Sequence, residues 1–252
     1  MGFALEKLRF MGRHGVGKYR RAGRRFFSDL DAYLEECRRA GREIGTLKID
    51  PRTDDWNADH PLRKSVLEAS YTAEQIRKGS PSVVHDIGSD QVFIATLCNF
   101  VPVVVVDTRQ IDLKRPGLTF RQGDGRKLPL RDGECEFMTS LCVIEHLGLG
   151  RYGDSIDPRG DFKFVEELRR CLKPGGKLVL SMPVAIRDRL VFNAHRVYSP
   201  ASISALTTGF SIVDEAFAWP RRGLLSRDEA LKELAGQDEQ YMIWIGCLER
   251  GS

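Results

Sequence analysis

The sequence lacks any hydrophobic run long enough to cross a bilayer. Its longest nearly unbroken apolar stretch, residues 100–106, spans seven residues and contains Pro102, whereas a spanning helix takes about 20. No apolar core follows the basic N-terminus, so no secretory leader is expected. Closely spaced cysteine pairs are also missing. Cys37, Cys98, Cys135, Cys142, Cys171 and Cys247 form no C-x-x-C motif, and most lie inside apolar strand or helix patterns. A zinc site or disulfide framework needs tighter, regular spacing. Buried reduced thiols and a cytoplasmic location are the expectation. Internal repeats and low-complexity segments are absent as well.

Net positive charge is lacking outside the first 25 residues. That segment holds Lys7, Arg9, Arg13, Lys18, Arg20, Arg21, Arg24 and Arg25 against the single acid Glu6. A total of +4 with +7 in this arm leaves −3 on residues 26–252. A nucleic-acid grip usually spreads basic charge over a folded face, so no nucleic-acid partner is expected. The arm suits an anionic lipid surface or a phosphorylated substrate; a solvated helix face is the bland alternative.

What is present is a chain of 252 residues with apolar content sufficient for a full core. Phe26, Phe27, Leu30, Tyr33, Leu34 and Cys37 recur at helical spacing, and Gly41 and Gly45 end that stripe. Residues 51–61 form a polar connection, and 65–78 restore helical spacing through Leu67, Tyr71 and Ile76. Residues 1–80 therefore read as a basic arm and helical cap. From residue 82 onward, short apolar runs alternate with amphipathic stretches. Strands are predicted at 82–86, 101–107, 118–121, 136–141, 177–182, 210–217 and 241–248. Helices are predicted at 90–99, 161–172 and 200–208, with a further short one at Arg227–Leu234. Strand–helix alternation implies an α/β domain over 81–252, a doubly wound and mostly parallel seven-stranded sheet. The last two strands are expected to pair as a hairpin.

Such a sheet binds ligands at the carboxyl ends of its strands. The first strand runs into Asp86-Ile87-Gly88-Ser89, where a glycine admits close backbone approach and a helix follows. The second ends at Asp107, at the spacing where an acid accepts both ribose hydroxyls. The third is followed by Gly123-Asp124-Gly125, and Asp124 suits an exocyclic amine. Three acids at successive strand ends fit a nucleoside ligand. Alone, each also reads as a turn residue.

Asp86-x-Gly88, Asp107, Gly-Asp124-x-x-x-Leu128-Pro129, Val143-Ile144-Glu145-His146 and Leu172-Lys173-Pro174-Gly175-Gly176 occur in one order. Together the motifs resemble a class I S-adenosylmethionine-dependent methyltransferase over residues 82–183. Within that class, residues 144–154 and 192–200 resemble a little-characterised bacterial branch encoded beside glycan-assembly genes. The departure lies in the first loop, where Asp90 and Val92 replace the second and third glycines of the acid-x-Gly-x-Gly-x-Gly pattern. Asp90 suits the helix N-terminus, but it would repel a methionine carboxylate if it pointed inward.

The resemblance implies a Rossmann-like fold, with Asp86 near the methionine amine and Gly88 and Ser89 beside the carboxylate. It further implies Asp107 at the ribose, Asp124 and Gly125 at the adenine, and Leu141 and Cys142 lining the floor near the sulfonium. A hydroxyl acceptor needs a base, and histidine titrates near neutrality. His146 and His195 are the candidates, against bland readings as a helix anchor and a loop residue. Arg151, Tyr152, Asn193, Arg196 and Tyr198 are candidate acceptor ligands, with Phe192 as a further ring to stack on a sugar. Asp154, Asp157 and Asp161 fit a magnesium ion less well than solvated loop positions, so no metal is assigned. The reading is O-methylation of a sugar hydroxyl on a glycan or glycoside. Alternatives are a methyltransferase for a small natural product or a non-catalytic nucleoside binder. A nicotinamide dehydrogenase fits worse, because Asp90 and Val92 spoil the Gly-x-Gly-x-x-Gly loop more severely.

Overall fold

In the computed structural model the described residues are 61–252 without Leu113, Phe192, Asn193, Arg221, Asp238, Glu239 and Ser252, plus isolated positions between 31 and 39. The basic arm and most of the first apolar stripe lie outside the described residues. Residues 31–33, 35, 38 and 39 are helical, and Glu35 there pairs with Arg38 at 2.6 Å and Arg39 at 3.2 Å.

Helix α1 (Pro61–Gly79) ends with Arg77 and Lys78, cations placed favourably at the helix C-terminus. Ser80 closes it in the left-handed region (φ 44°), its N–H donating to Ile76 O. The helix buries Glu68, Tyr71, Thr72, Gln75 and Ile76, a three-and-four spacing that makes one face. Tyr71 and Ile76 pack with Val84, Phe137, Ile245 and Cys247 of the sheet. The compact unit therefore begins at Pro61 and runs to Ser252. Its start precedes the boundary expected at residue 81, because the helix read as a cap supplies one wall of the core.

The chain continues through β1 (Val84–Ile87), α2 (Gln91–Leu97), β2 (Val103–Asp107), β3 (Leu118–Gln122) and β4 (Cys135–Leu141). A 3-10 turn, Ile144–His146, leads to α3 (Gly160–Cys171) and β5 (Leu172–Val184). Then come β6 (Arg189–Val191), β7 (His195–Val197), α4 (Pro200–Leu206), β8 (Phe210–Trp219), β9 (Gly223–Leu225), α5 (Arg227–Leu234) and β10 (Met242–Arg250). The main sheet has the order β3-β2-β1-β4-β5-β10-β8-β9. The five strands from β3 to β5 run parallel, while β10 is antiparallel to both β5 and β8. The sheet thus has eight strands rather than the expected seven, the addition being the short edge strand β9. Strands β6 and β7 form a separate two-stranded hairpin. The last two predicted strands do pair antiparallel, as β8 and β10.

Side-chain alternation sorts the strands between two cores. Leu178, Leu180 and Met182 of β5 and Met242, Trp244 and Leu248 of β10 face the layer containing Phe164, Leu168 and Leu234. Val179, Ile243, Ile245 and Cys247 face the layer of α1 and α2. The five described cysteines carry free thiols. Among the described residues no helix is long and apolar enough to cross a membrane.

Candidate functional site

An open cleft lies at the carboxyl ends of β1, β2 and β4, enclosing about 560 Å3 including its mouth. Its closed part, about 100 Å3, is smaller than the usual drug-sized ligand site, and the rest opens to solvent. Gly88, Asp107, Gly125, Cys142, His146 and Tyr152 all line it.

Gly88 turns the chain out of β1 with φ +73°, and a Cβ there would press on Val143. Behind it Asp86 is fully buried. One carboxylate oxygen accepts from Ser89 N–H at 3.0 Å and the other from Thr139 Oγ1 at 2.7 Å. Ser89 Oγ accepts in turn from Leu141 N–H at 3.0 Å. Asp86, Ser89 and Leu141 thereby lock β1 to β4 beneath the cleft floor. Burial pushes the Asp86 carboxyl up to about 6, against the pull of Ser89 and Thr139. Asp90 caps α2 with its own side chain, accepting from Val92 N–H at 2.8 Å. A short anion-accepting helix end is thus already filled by a carboxylate of this chain.

Asp107 and Asp124 share one local design. Arg109 binds both oxygens of Asp107 at 3.0 and 2.7 Å, and its N–H donates at 2.8 Å. Arg126 does the same to Asp124, with bonds of 3.1, 2.7 and 2.8 Å. This fork holds Asp124 below the usual carboxylate range. Arg126 also reaches Ser155 O at 2.9 Å. Asp107 and Arg109 line the cleft with Gly123 and Gly125, whereas Asp124 is not part of its lining. Neither arginine partner was singled out from sequence, although Asp107-Thr108-Arg109 and Asp124-Gly125-Arg126 repeat an Asp-x-Arg pattern.

The second half of the site follows β4. Cys142 takes φ +52°, a rare conformation for a residue with a Cβ. Its thiol donates to Glu68 Oε1 at 3.0 Å, and Ser181 Oγ donates to the same oxygen at 2.6 Å. Burial raises Glu68, and burial with Glu145 and Glu68 raises the Cys142 thiol well above its usual range. Glu145 is also buried, with Oε2 lacking a hydrogen bond. Burial, reinforced by Glu68, pushes it up to about 8. This buried acid cluster was missed from sequence; its one signal is a glutamate on the buried stripe of α1.

His146 Nδ1 lies 2.7 Å from Ala194 O. A carbonyl only accepts, so Nδ1 carries the proton and Nε2 keeps its lone pair. Nε2 stands 3.7 Å from Glu145 Oε1. Burial, Arg151 and His195 lower the histidine's pKa, outweighing the Ala194 bond, so the ring is neutral at pH 7. His195 stands edge-on to it at 6.5 Å between ring centroids, and Tyr152 at 5.7 Å. Arg151 donates to Ala194 O at 2.9 Å and lies 5.2 Å from the Tyr152 ring.

The remaining candidates fall elsewhere. Arg196 donates to Leu147 O at 2.7 Å and approaches Asp161 at 3.5 Å, and Tyr198 O–H donates to Asp161 at 3.2 Å. Both line a separate groove beside β6 and β7 and tie that hairpin to α3. Asn193 and Phe192 lie outside the described residues. Asp154 accepts from Gly148 and Tyr152 N–H groups, and Asp157 pairs with Lys163 at 2.7 Å. These acids brace the loop, and among the described residues no His, Cys, Asp or Glu group is arranged to hold a metal.

A family model described as "Caenorhabditis protein of unknown function, DUF268" matches residues 130–224. That stretch carries the histidines and the hairpin but not β1 to β3. No curated protein matches the chain. Among solved structures, the Burkholderia thailandensis 1,6-didemethyltoxoflavin N1-methyltransferase, bound to S-adenosylhomocysteine, is 13% identical with a TM-score of 0.51. The alignment covers 84% of this chain and 95% of that one. A Haemonchus contortus phosphoethanolamine N-methyltransferase with S-adenosylmethionine is 14% identical, TM-score 0.51, covering 73% of this chain and 53% of that one. The cyclase SpnF is similar too, at 13% identity and TM-score 0.52, covering 73% of this chain and 80% of that one. The chain has the Rossmann-like fold of class I methyltransferases, a scaffold that also carries other chemistry.

Proposed function

We propose that this protein is an S-adenosylmethionine-dependent methyltransferase that methylates a sugar hydroxyl on a glycan or glycoside. One observation carries the reading: the Asp107 strand end and His146 line one cleft. When bound, the cofactor supplies an electrophilic methyl group on a sulfonium. The residues fit it in part. Gly88 and Gly125 line the cleft, Asp107 would meet the ribose diol once Arg109 swings away, and Cys142 would border the sulfonium. His146 would take the acceptor hydroxyl's proton at Nε2 while the bound cofactor gave its methyl group to that oxygen. His195 is the second candidate base, neutral at pH 7 because burial and three nearby cations lower its pKa. Alignment and water exclusion supply most of the remaining rate.

A non-catalytic nucleoside binder is the competing reading, favoured by the arginine forks on Asp107 and Asp124 and by the self-capped α2. Calorimetry with S-adenosylmethionine, its demethylated product and NAD separates the cases, followed by mass spectrometry over a panel of sugars. Micromolar binding of the first two and a one-methyl gain on a sugar is the expected outcome. Binding without transfer to any hydroxyl would leave the binder reading in place.

A further inference from the structure

The loop between the 3-10 turn and α3, residues 147–159, is pinned at its base and open at its tip. Asp157 N–H donates to Gly148 O at 3.0 Å, and Asp154 accepts from the Gly148 and Tyr152 N–H groups at 2.8 and 3.2 Å. A Cβ on Gly148 would strike the Asp157 carbonyl, whereas one on Gly153 would meet nothing within 4 Å. The tip carries Tyr152, which is 53% exposed and lines the cleft together with Asp107, Arg109 and His146. Its ring lies 5.8 Å from the guanidinium of Arg109, which follows β2. The same ring stands edge-on to His146 at 5.7 Å. Contacts therefore run in series, Asp107 to Arg109 to Tyr152 to His146, from one end of the cleft to the other. Arg109 is the movable member, since its side chain is held by the two oxygens of Asp107. Arg151 also approaches the ring, at 5.2 Å, but is anchored on the Ala194 carbonyl.

We propose that Arg109 and Tyr152 form a latch over His146, and that a ribose diol opens it by displacing Arg109 from Asp107. The diol takes the two oxygens on which the guanidinium rests, so the ring loses the cation that holds it beside His146. The choice of diol rests on the methyltransferase reading; in that reading the cofactor binds first and uncovers the base for the acceptor. Such an order keeps the acceptor out of an unloaded site. Exposed cation–π contacts are weak, so the latch biases the ring instead of locking it, and a ligand that favours the open form shifts the balance. The ring face makes the contact, so the Tyr152 hydroxyl is dispensable.

The test follows modification of the histidines by diethyl pyrocarbonate, which attacks unprotonated imidazole, on the full chain with each site resolved by peptide mass spectrometry. His85, buried on β1, reports on folding and stays slow in every intact variant. Without ligand, Arg109→Ala is expected to raise the His146 rate about two- to fivefold, the worth of one exposed cation–π contact. Tyr152→Phe is expected to keep the wild-type rate. Millimolar adenosine, which carries the diol without the methionine chain, should raise the wild-type rate to the Arg109→Ala level and add nothing in that variant. An unchanged His146 rate in Arg109→Ala, or a Tyr152→Phe rate as high as that of Arg109→Ala, overturns the latch. So does an equal or absent response to adenosine in both proteins when calorimetry shows that they bind S-adenosylmethionine. A fast His146 in ligand-free Arg109→Ala, without S-adenosylmethionine binding, sinks only the methyltransferase.

Discussion

Arg109 competes with any ribose for the two carboxylate oxygens of Asp107. Asp107→Ala is expected to weaken S-adenosylmethionine binding by about 1.5–3 kcal/mol, the range for hydrogen bonds to a charged group. Arg109→Ala should do the opposite and tighten it several-fold, since the fork no longer has to open. Calorimetry on the pair decides: if both weaken binding equally, Arg109 touches the ligand instead of guarding the site. Glu145 makes a second, independent claim at this scale. Its folded pKa of about 8 stands above the ordinary 4.5, so the native state holds a proton that the unfolded chain releases. Stability from that proton is full below about pH 4.5 and is lost as pH rises towards 8. The slope contributed by one such group is about 1.4 kcal/mol per pH unit across that window. Urea unfolding between pH 5 and 7.5 should show a shallower fall in Glu145→Gln. An unchanged slope would mean that Glu145 is ionised in the folded protein.

At the scale of elements, β10 depends on a residue with no side chain. A Cβ on Gly246 would run into the indole of Trp244, which is fully buried and donates to Glu215 at 2.8 Å. Arg227 grips the same carboxylate at 2.6 and 2.7 Å. Gly246→Ala is expected to cost about 1–3 kcal/mol through overpacking, read as a lower Tm with a shifted tryptophan emission; full stability would show that the indole can move. The long strands were legible because runs such as Val103 to Val106 are apolar and bounded by turn residues. Strands β6, β7 and β9 were not, since three residues cannot display a period. Arg189-Leu190-Val191 leaves its apolar residues exposed, so burial gave no pattern to read. The strand-end positions of Asp86, Asp107 and Asp124 were legible, and of the three Asp107 lines the cleft. Their partners were not: Thr139 meets Asp86 only through the β1–β4 register, and Glu68 meets Cys142 across 74 residues. Arg196 and Tyr198 drew attention as polar neighbours of His195, but alternation along β7 and the chain just after it directs them to Asp161.

For the whole molecule, charge and compactness divide at different places. The compact unit starts at Pro61, while the basic excess ends at Arg25. A protein beginning at Pro61 is expected to melt cooperatively and to keep the full chain's affinity for S-adenosylmethionine. Loss of that affinity would show that residues 1–60 complete the site. We propose that the arm recruits an anionic surface or acceptor, so its removal should reduce the salt dependence of acceptor binding without changing cofactor affinity.

The position of β10 also carries a consequence for synthesis. Strands β5 and β8 are not hydrogen-bonded to each other; each pairs with β10, which follows both in the chain. As the polypeptide leaves the ribosome, everything up to α5 can emerge while the sheet is still in two pieces. During that interval β5 and β8 present open edges, the kind of surface that recruits another strand. A stalled nascent chain lacking residues 242–250 should therefore bind holding chaperones and resist forming protease-resistant cores. Release of the last strand then joins the ligand-binding half to the Trp244 half in a single late step.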